Sequence, residues 1–133
     1  KSHLHLFEIV KNIDNFDEEF FPHTILINHY KSSDIYLNLS RIESFGITFI
    51  ESLACKVPIV SFVGKGADEI IKNKFNGFLV ENNNISEFIN KIYQIKQNKV
   101  IISDMRNNCL ESIRKFDLST NSNKLINIYN NQI

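Results

Sequence analysis

Apolar residues in this chain fall in short continuous runs, separated by longer segments in which they recur every three or four positions. Residues 3–10 form a mostly apolar stretch that predicts a buried strand. Residues 11–22 (KNIDNFDEEFFP) are acidic and close on Pro22, which predicts a connection. Over residues 24–33, Ile25 pairs with His29 and Leu26 with Tyr30 at i+4, favouring a helix over a strand. Further strands are expected at 34–40 (DIYLNLS), 57–62 (VPIVSF) and 78–80 (FLV). Helices are expected at 46–55, at 67–73, from Asn84 or Ser86 to about 97, at 100–115 and at 119–131. A glycine-containing loop spans 63–66, Asn76-Gly77 predicts the turn into the strand at 78–80, and 82–84 is a loop.

Strands alternating with helices, some of the strands apolar throughout, predict an α/β domain with a four-stranded parallel sheet covered on both faces. Such sheets bind ligands beyond the carboxyl ends of their strands. That directs attention to residues 40–46 and 63–66.

Composition narrows the function classes. The 133 residues (15.5 kDa) fit one domain over 1–133, and 43% apolar content with 11 phenylalanines can fill its core. Lys+Arg and Asp+Glu are both 15, and this balance argues against a nucleic-acid partner, which calls for a basic surplus. No apolar run approaches the ~18 residues of a membrane span, and the start lacks the charged-then-apolar layout of a signal peptide. The expectation is a cytoplasmic protein with no transmembrane segment. Two cysteines, Cys55 and Cys109, support neither a disulfide framework nor a four-cysteine zinc site, and are expected as reduced thiols.

Several chemistries fail at the motif level. The glycines are Gly46, Gly64, Gly66 and Gly77, so neither GxxxxGK[ST] nor GxGxxG can be written. GxSxG is absent too, which removes the serine-hydrolase elbow. A phospho-receiver domain needs an aspartate ending a central strand, and IYLNLS offers none. His3 and His5 share a strand face without a recognisable third ligand, so no metal site is expected.

What stands out is residues 40–60, SRIESFGITFIESLACKVPIV. Glu43 ends a strand loop, Gly46 opens a helix, and Glu51 lies a turn inside it. A helix N-terminus leaves backbone N–H groups unpaired and carries partial positive charge, which suits a phosphate, and Gly46 lets that phosphate approach closely. Carboxylates set slightly apart from it can accept hydrogen bonds from sugar hydroxyls. Glu43 and Glu51 are therefore expected in one ligand-sized cleft.

This stretch resembles the C-terminal, donor-binding half of retaining glycosyltransferases of the GT-B fold, the group 1 or family 4 type. Their pattern is roughly Pro-Ser-x-x-Glu-Gly/Ser-Phe-Gly, a second glutamate after seven intervening residues, then Ala-x-Gly-x-Pro-Val-Val. Ser40, Glu43, Phe45, Gly46, Glu51, Ala54, Pro58 and Val60 fall in register with it. Gly66, Glu69 and the run from Asn76 to Val80 (NGFLV) are similar to the family's Gly-Gly-x-x-Glu loop and Gly-Leu-Leu-Val strand. Upstream, HYKSSDIYLNLS is similar to a short tyrosine-bearing helix and the strand after it. The likeness covers residues 24–131 and is most specific over 40–80.

The resemblance implies a Rossmann-like sheet, part of a GT-B C-terminal lobe without the N-terminal acceptor domain. It implies transfer of a glycosyl unit from a nucleotide-diphosphate sugar, with retention, no metal and no further cofactor, in glycan biosynthesis. Glu43 is implied as the catalytic-site carboxylate, holding hydroxyls of the transferred sugar beside Phe45, Gly46 and Ile47. Glu51 is implied as the ribose ligand, and the Gly64–Lys65–Gly66 loop as part of the diphosphate site. Lys65 stands where the family has a first loop glycine, and as a cation could partly replace the Arg/Lys pair that the family carries earlier and that is not found before Ser40. Leu39 stands where proline is common. Lys56 replaces the glycine that usually ends the helix, at a cost of about 1 kcal/mol if φ is positive there. The expected partners are a nucleotide sugar and a separate acceptor-binding lobe. The 133 residues alone are expected to be inactive, and the alternative is a non-catalytic or vestigial nucleotide-sugar-binding module.

Overall fold

The structure is a computed structural model and describes residues 23–40 and 42–130. Its elements run α1 (His23–Ser32), β1 (Tyr36–Asn38), α2 (Ile47–Ala54), β2 (Ile59–Phe62), α3 (Lys65–Ile70), β3 (Gly77–Val80), α4 (Ile85–Gln97) and α5 (Lys99–Ile113). A 3₁₀ turn (Arg114–Phe116) then leads to α6 (Leu118–Asn130). The expected strand at 3–10 and connection at 11–22 lie outside the described residues. Among those described, the sheet has three strands, all parallel, in the order β1-β2-β3.

Side chains of the buried strands alternate between two clusters, as a period of two requires. Val60, Phe62, Phe78 and Val80 pack with Phe88 and Ile95 of α4 and Met105 of α5. Ile59, with the half-buried Tyr36 and Leu79, packs with Phe49 and Leu53 of α2, Ala67 and Ile70 of α3, and Cys109 of α5. Helices thus cover both faces, and α5 serves both clusters. Burial of Cys109 pushes its thiol up to about 12, and Cys55 is also raised by burial; both are free thiols.

Two local expectations need correction. The helix expected at 67–73 begins at Lys65 and ends at Ile70. Its end is set by Asn76, whose fully buried side chain donates to the Ile70 carbonyl (3.1 Å) and accepts from the Lys72 amide (2.7 Å). The expected turn into the strand is present over residues 74–76, with Lys74 left-handed at φ 66°, but Gly77 is already the first residue of β3 rather than part of the turn. Gly77 is required for a different reason, because a Cβ there would stand 2.2 Å from the Ile59 carbonyl oxygen of the neighbouring strand. Asn84 caps α4 as expected, accepting from the Glu87 amide at 3.1 Å.

The end of α2 is the point where sequence and backbone disagree. Lys56 has φ 61°, the left-handed conformation that disfavours a Cβ. Its amide donates to the Leu53 carbonyl (3.0 Å) and the Val57 amide to the Ser52 carbonyl (2.9 Å), the paired bonds of a Schellman ending. Ser52, itself buried, closes the motif by donating its hydroxyl to the Val57 carbonyl at 2.9 Å. The ending is thus firmly held, and the lysine takes the strain. Lys56→Gly should stabilise the chain by about 1 kcal/mol, read as a higher urea midpoint at unchanged slope. Lys56→Ala, which keeps the Cβ, should gain nothing; an equal gain from alanine would show that strain at this residue is not the cause.

Candidate functional site

The loop after β1 is organised by short bonds. Asn38 accepts from the Ser40 amide at 3.1 Å, and Ser40 donates its hydroxyl to the Ile42 carbonyl at 2.9 Å. Glu43 then folds back, its Oε1 accepting from the Gly46 amide at 3.1 Å. Gly46 sits at φ +81°, and a Cβ there would lie 2.3 Å from the Phe49 ring, so both its backbone angle and its surroundings call for glycine.

From Gly46 the chain enters α2 with no side-chain cap. The Ile47 and Thr48 amides have no acceptor among the described residues. These are the orphan donors of a helix start, carrying its partial positive charge. Ile47 is 64% exposed, so the helix start faces solvent.

The loop after β2 docks onto this one. The Gly66 amide donates to the Glu43 carbonyl at 3.1 Å, and a Cβ on Gly66 would meet that oxygen at 2.9 Å and the Phe45 backbone at 3.1 Å. The Gly64 amide donates to Asp68 Oδ1 at 3.2 Å. Two amides of the expected diphosphate loop are therefore engaged within the protein itself, while Lys65 between them is exposed. Phe45 is 44% exposed and sets its ring edge-on to Phe116, 5.8 Å between centroids.

Glu51 lies about 7 Å further along α2, at a rise of 1.5 Å per residue. It is half-buried, and its Oε2 accepts from the Tyr30 hydroxyl at 3.3 Å. Tyr30 is 3% exposed, and the same hydroxyl reaches the Thr48 carbonyl at 3.4 Å. Burial, then the neighbouring Tyr36 and Glu51, raise the Tyr30 pKa well above its ordinary value, so it serves as a donor throughout the working pH range.

Direct contacts thus join Glu43, Phe45, Gly46 and Gly66, with Ile47 following at the helix start. Glu51 stands apart from them, against α1. Tyr30 is the residue that sequence reasoning missed as part of the site: 21 positions separate it from Glu51, and its i+4 partner Leu26 marked only a helix face. A groove of about 460 Å³ adjoins the ring of Phe116 and is lined by Ile50, Leu110, Ile113, Arg114, Phe116 and Asp117, and neither glutamate lines it. Arg106 does not supply the missing basic pair, since its guanidinium is committed to Asp34 (2.9 Å) and the Ser33 carbonyl (3.2 Å). Among the described residues, no helix is long and apolar enough to cross a membrane.

With this geometry in place, likeness to known proteins becomes informative. The family model "Glycosyl transferases group 1" matches residues 18–116. Poly(ribitol-phosphate) alpha-N-acetylglucosaminyltransferase of Staphylococcus aureus is 30% identical over 98 residues, which is 72% of this chain and 20% of that enzyme. A variant of Staphylococcus aureus TarM, solved with Fondaparinux, alpha-GlcNAc-glycerol and UDP, superposes with a TM-score of 0.73 at 28% identity, over 80% of this chain and 22% of that one. The C-terminal domain of a glycosyl transferase group 1 family protein (LpcC) from Francisella tularensis superposes with a TM-score of 0.62 at 23% identity, over 72% of this chain and 50% of that one. The matched part of the chain spans about a tenth to a quarter of the length of its curated relatives, and 20% of the Staphylococcus aureus enzyme. Family match and parallel α/β sheet agree: this chain belongs to the group 1 glycosyl transferases, corresponding to part of the C-terminal, Rossmann-like lobe of the GT-B fold.

Proposed function

We propose that these residues form the donor-binding part of a retaining glycosyltransferase, holding a nucleotide-diphosphate sugar for transfer to an acceptor carried on another lobe. The observation that carries the reading is the open start of α2: Glu43 fixes Gly46, and the next two amides, Ile47 and Thr48, are left without acceptors among the described residues. In this reading the diphosphate sits on those amides, with the positive end of the helix behind them. As the glycosidic bond to the diphosphate breaks, charge develops on the leaving oxygen, and preorganised amides stabilise that charge without reorganising. Glu43, with Oε1 on Gly46, offers its other oxygen to hydroxyls of the transferred sugar, beside Phe45 and Ile47. Glu51 takes the ribose diol, and Lys65 adds an exposed cation next to the diphosphate.

The docked loop after β2 acts as a support in this scheme: the Gly66 amide holds the Glu43 backbone and the Gly64 amide holds Asp68, so Lys65 is the loop's main contribution to the charge. The two unpaired thiols fit a reducing, cytoplasmic setting.

UDP, the nucleotide in the TarM complex, is the natural probe. Glu51→Ala should weaken UDP binding by about tenfold or more, the loss of charged hydrogen bonds to a diol. Lys65→Ala should weaken it by less than about fivefold, and added salt should shrink that effect while leaving the Glu51 effect in place. Isothermal titration calorimetry checks the ranking; the reverse order would remove Glu51 from the ribose role, and absence of UDP binding would remove the donor site. A second outcome follows from chain length. Because most of the relatives' length lies beyond the matched part, the 133 residues alone should form no glycosyl product from UDP-sugars in a radiolabel transfer assay. Steady product formation would contradict the two-lobe reading.

A further inference from the structure

We infer that Tyr30 is a positioning residue for the nucleotide site, setting the Glu51 carboxylate and the first turn of α2 from beneath; the inference rests on the donor-site reading above. Tyr30 comes from α1, which that reading leaves without a role. Its one hydroxyl hydrogen is shared between Glu51 Oε2 (3.3 Å) and the Thr48 carbonyl (3.4 Å), and both separations are longer than a linear O–H···O bond, as sharing requires. Glu51 Oε1 takes no hydrogen bond among the described residues, so the carboxylate presents one held and one open oxygen. Oε2 keeps a second lone pair and Oε1 both of its own, so a ribose diol can still donate to the carboxylate, and a carboxylate already held by Tyr30 loses less side-chain entropy when it accepts.

The ring of Tyr30 is held as well as its hydroxyl. It meets Tyr36 edge-on at 5.9 Å, and Tyr36 meets Phe49 edge-on at 6.3 Å. Phe49 is fully buried and is the ring that excludes a Cβ at Gly46. Three rings therefore run from the Glu51 carboxylate to the glycine that opens α2, placing the ribose end and the phosphate end of the site on one rigid layer. Tyr30 touches no reacting atom in this arrangement; it acts through Glu51.

The test is a ratio. UDP and 2′,3′-dideoxy-UDP are titrated by calorimetry into the unaltered chain, Tyr30→Phe and Glu51→Ala. Partial loss of folded protein lowers both apparent affinities by the same factor, so the ratio reports only the ribose contact. The expected result is that the unaltered chain prefers UDP, and that Tyr30→Phe reduces this preference about threefold to tenfold towards that of Glu51→Ala, with dideoxy-UDP binding unchanged. If Tyr30→Phe weakens both ligands equally, Tyr30 is a packing residue and the inference fails while the donor site stands. If the unaltered chain binds the two ligands alike, or binds neither, the donor-site reading fails and takes the inference with it.

Discussion

One backbone hydrogen bond ties together the loops that end two neighbouring strands. The Gly66 amide, after β2, donates to the Glu43 carbonyl, after β1, across 3.1 Å. The approach is so close that a Cβ on residue 66 would sit 2.9 Å from that oxygen. β1 and β2 are adjacent and parallel, so both loops leave the same edge of the sheet, where open α/β folds place their ligands. With its carbonyl pinned, Glu43 can turn its side chain back to the Gly46 amide, and Gly46 can take the left-handed angle from which α2 starts uncapped. The open amides of the site follow directly after these joined loops, and a side chain at 66 would force the loops to shift.

The same logic places the aromatic layer. Phe49, Tyr36 and Tyr30 fill the space beneath α2 and fix what lies above it: Gly46 at one end and Glu51 at the other. α5 braces the assembly from elsewhere in the chain, sending Cys109 into the cluster beneath α2 and holding Asp34 through Arg106. That ion pair is partly exposed and contributes about 0–1 kcal/mol, so its role is more to orient the turn before β1 than to stabilise it.

Much of this was legible in the sequence, for identifiable reasons. VPIVSF reads as a buried strand because it is apolar on both faces, and the structure gives β2 at its core, covered by helices on both sides. The strain at Lys56 was legible only through the resemblance, which puts a glycine at the helix end where this chain has lysine. The Asn-Gly pair pointed to the turn into β3, and the turn is there, but local turn chemistry did not reveal what Asn76 does in it. Its actual role, bonding the end of α3 with both atoms of a buried amide, depends on tertiary neighbours that no local rule contains. The Tyr30–Glu51 contact was hidden for the same reason, since helix periodicity marks Tyr30 as inward-facing and says nothing of what it meets. The glycines divide along this line too: Gly46 was readable from its position at a helix start, whereas Gly77 is dictated by the carbonyl of a neighbouring strand.

The central claim is that the uncapped start of α2, fixed by the joined loops, is where a nucleotide diphosphate binds. Backbone amide shifts of the ¹⁵N-labelled chain during titration with UDP test it most directly. The account predicts that the largest shifts fall on Gly46, Ile47 and Thr48, with smaller ones at Lys65 and Gly66. Shifts centred instead on Leu110, Ile113 and Arg114, which line the groove beside α5, with the α2 amides unmoved, would contradict it.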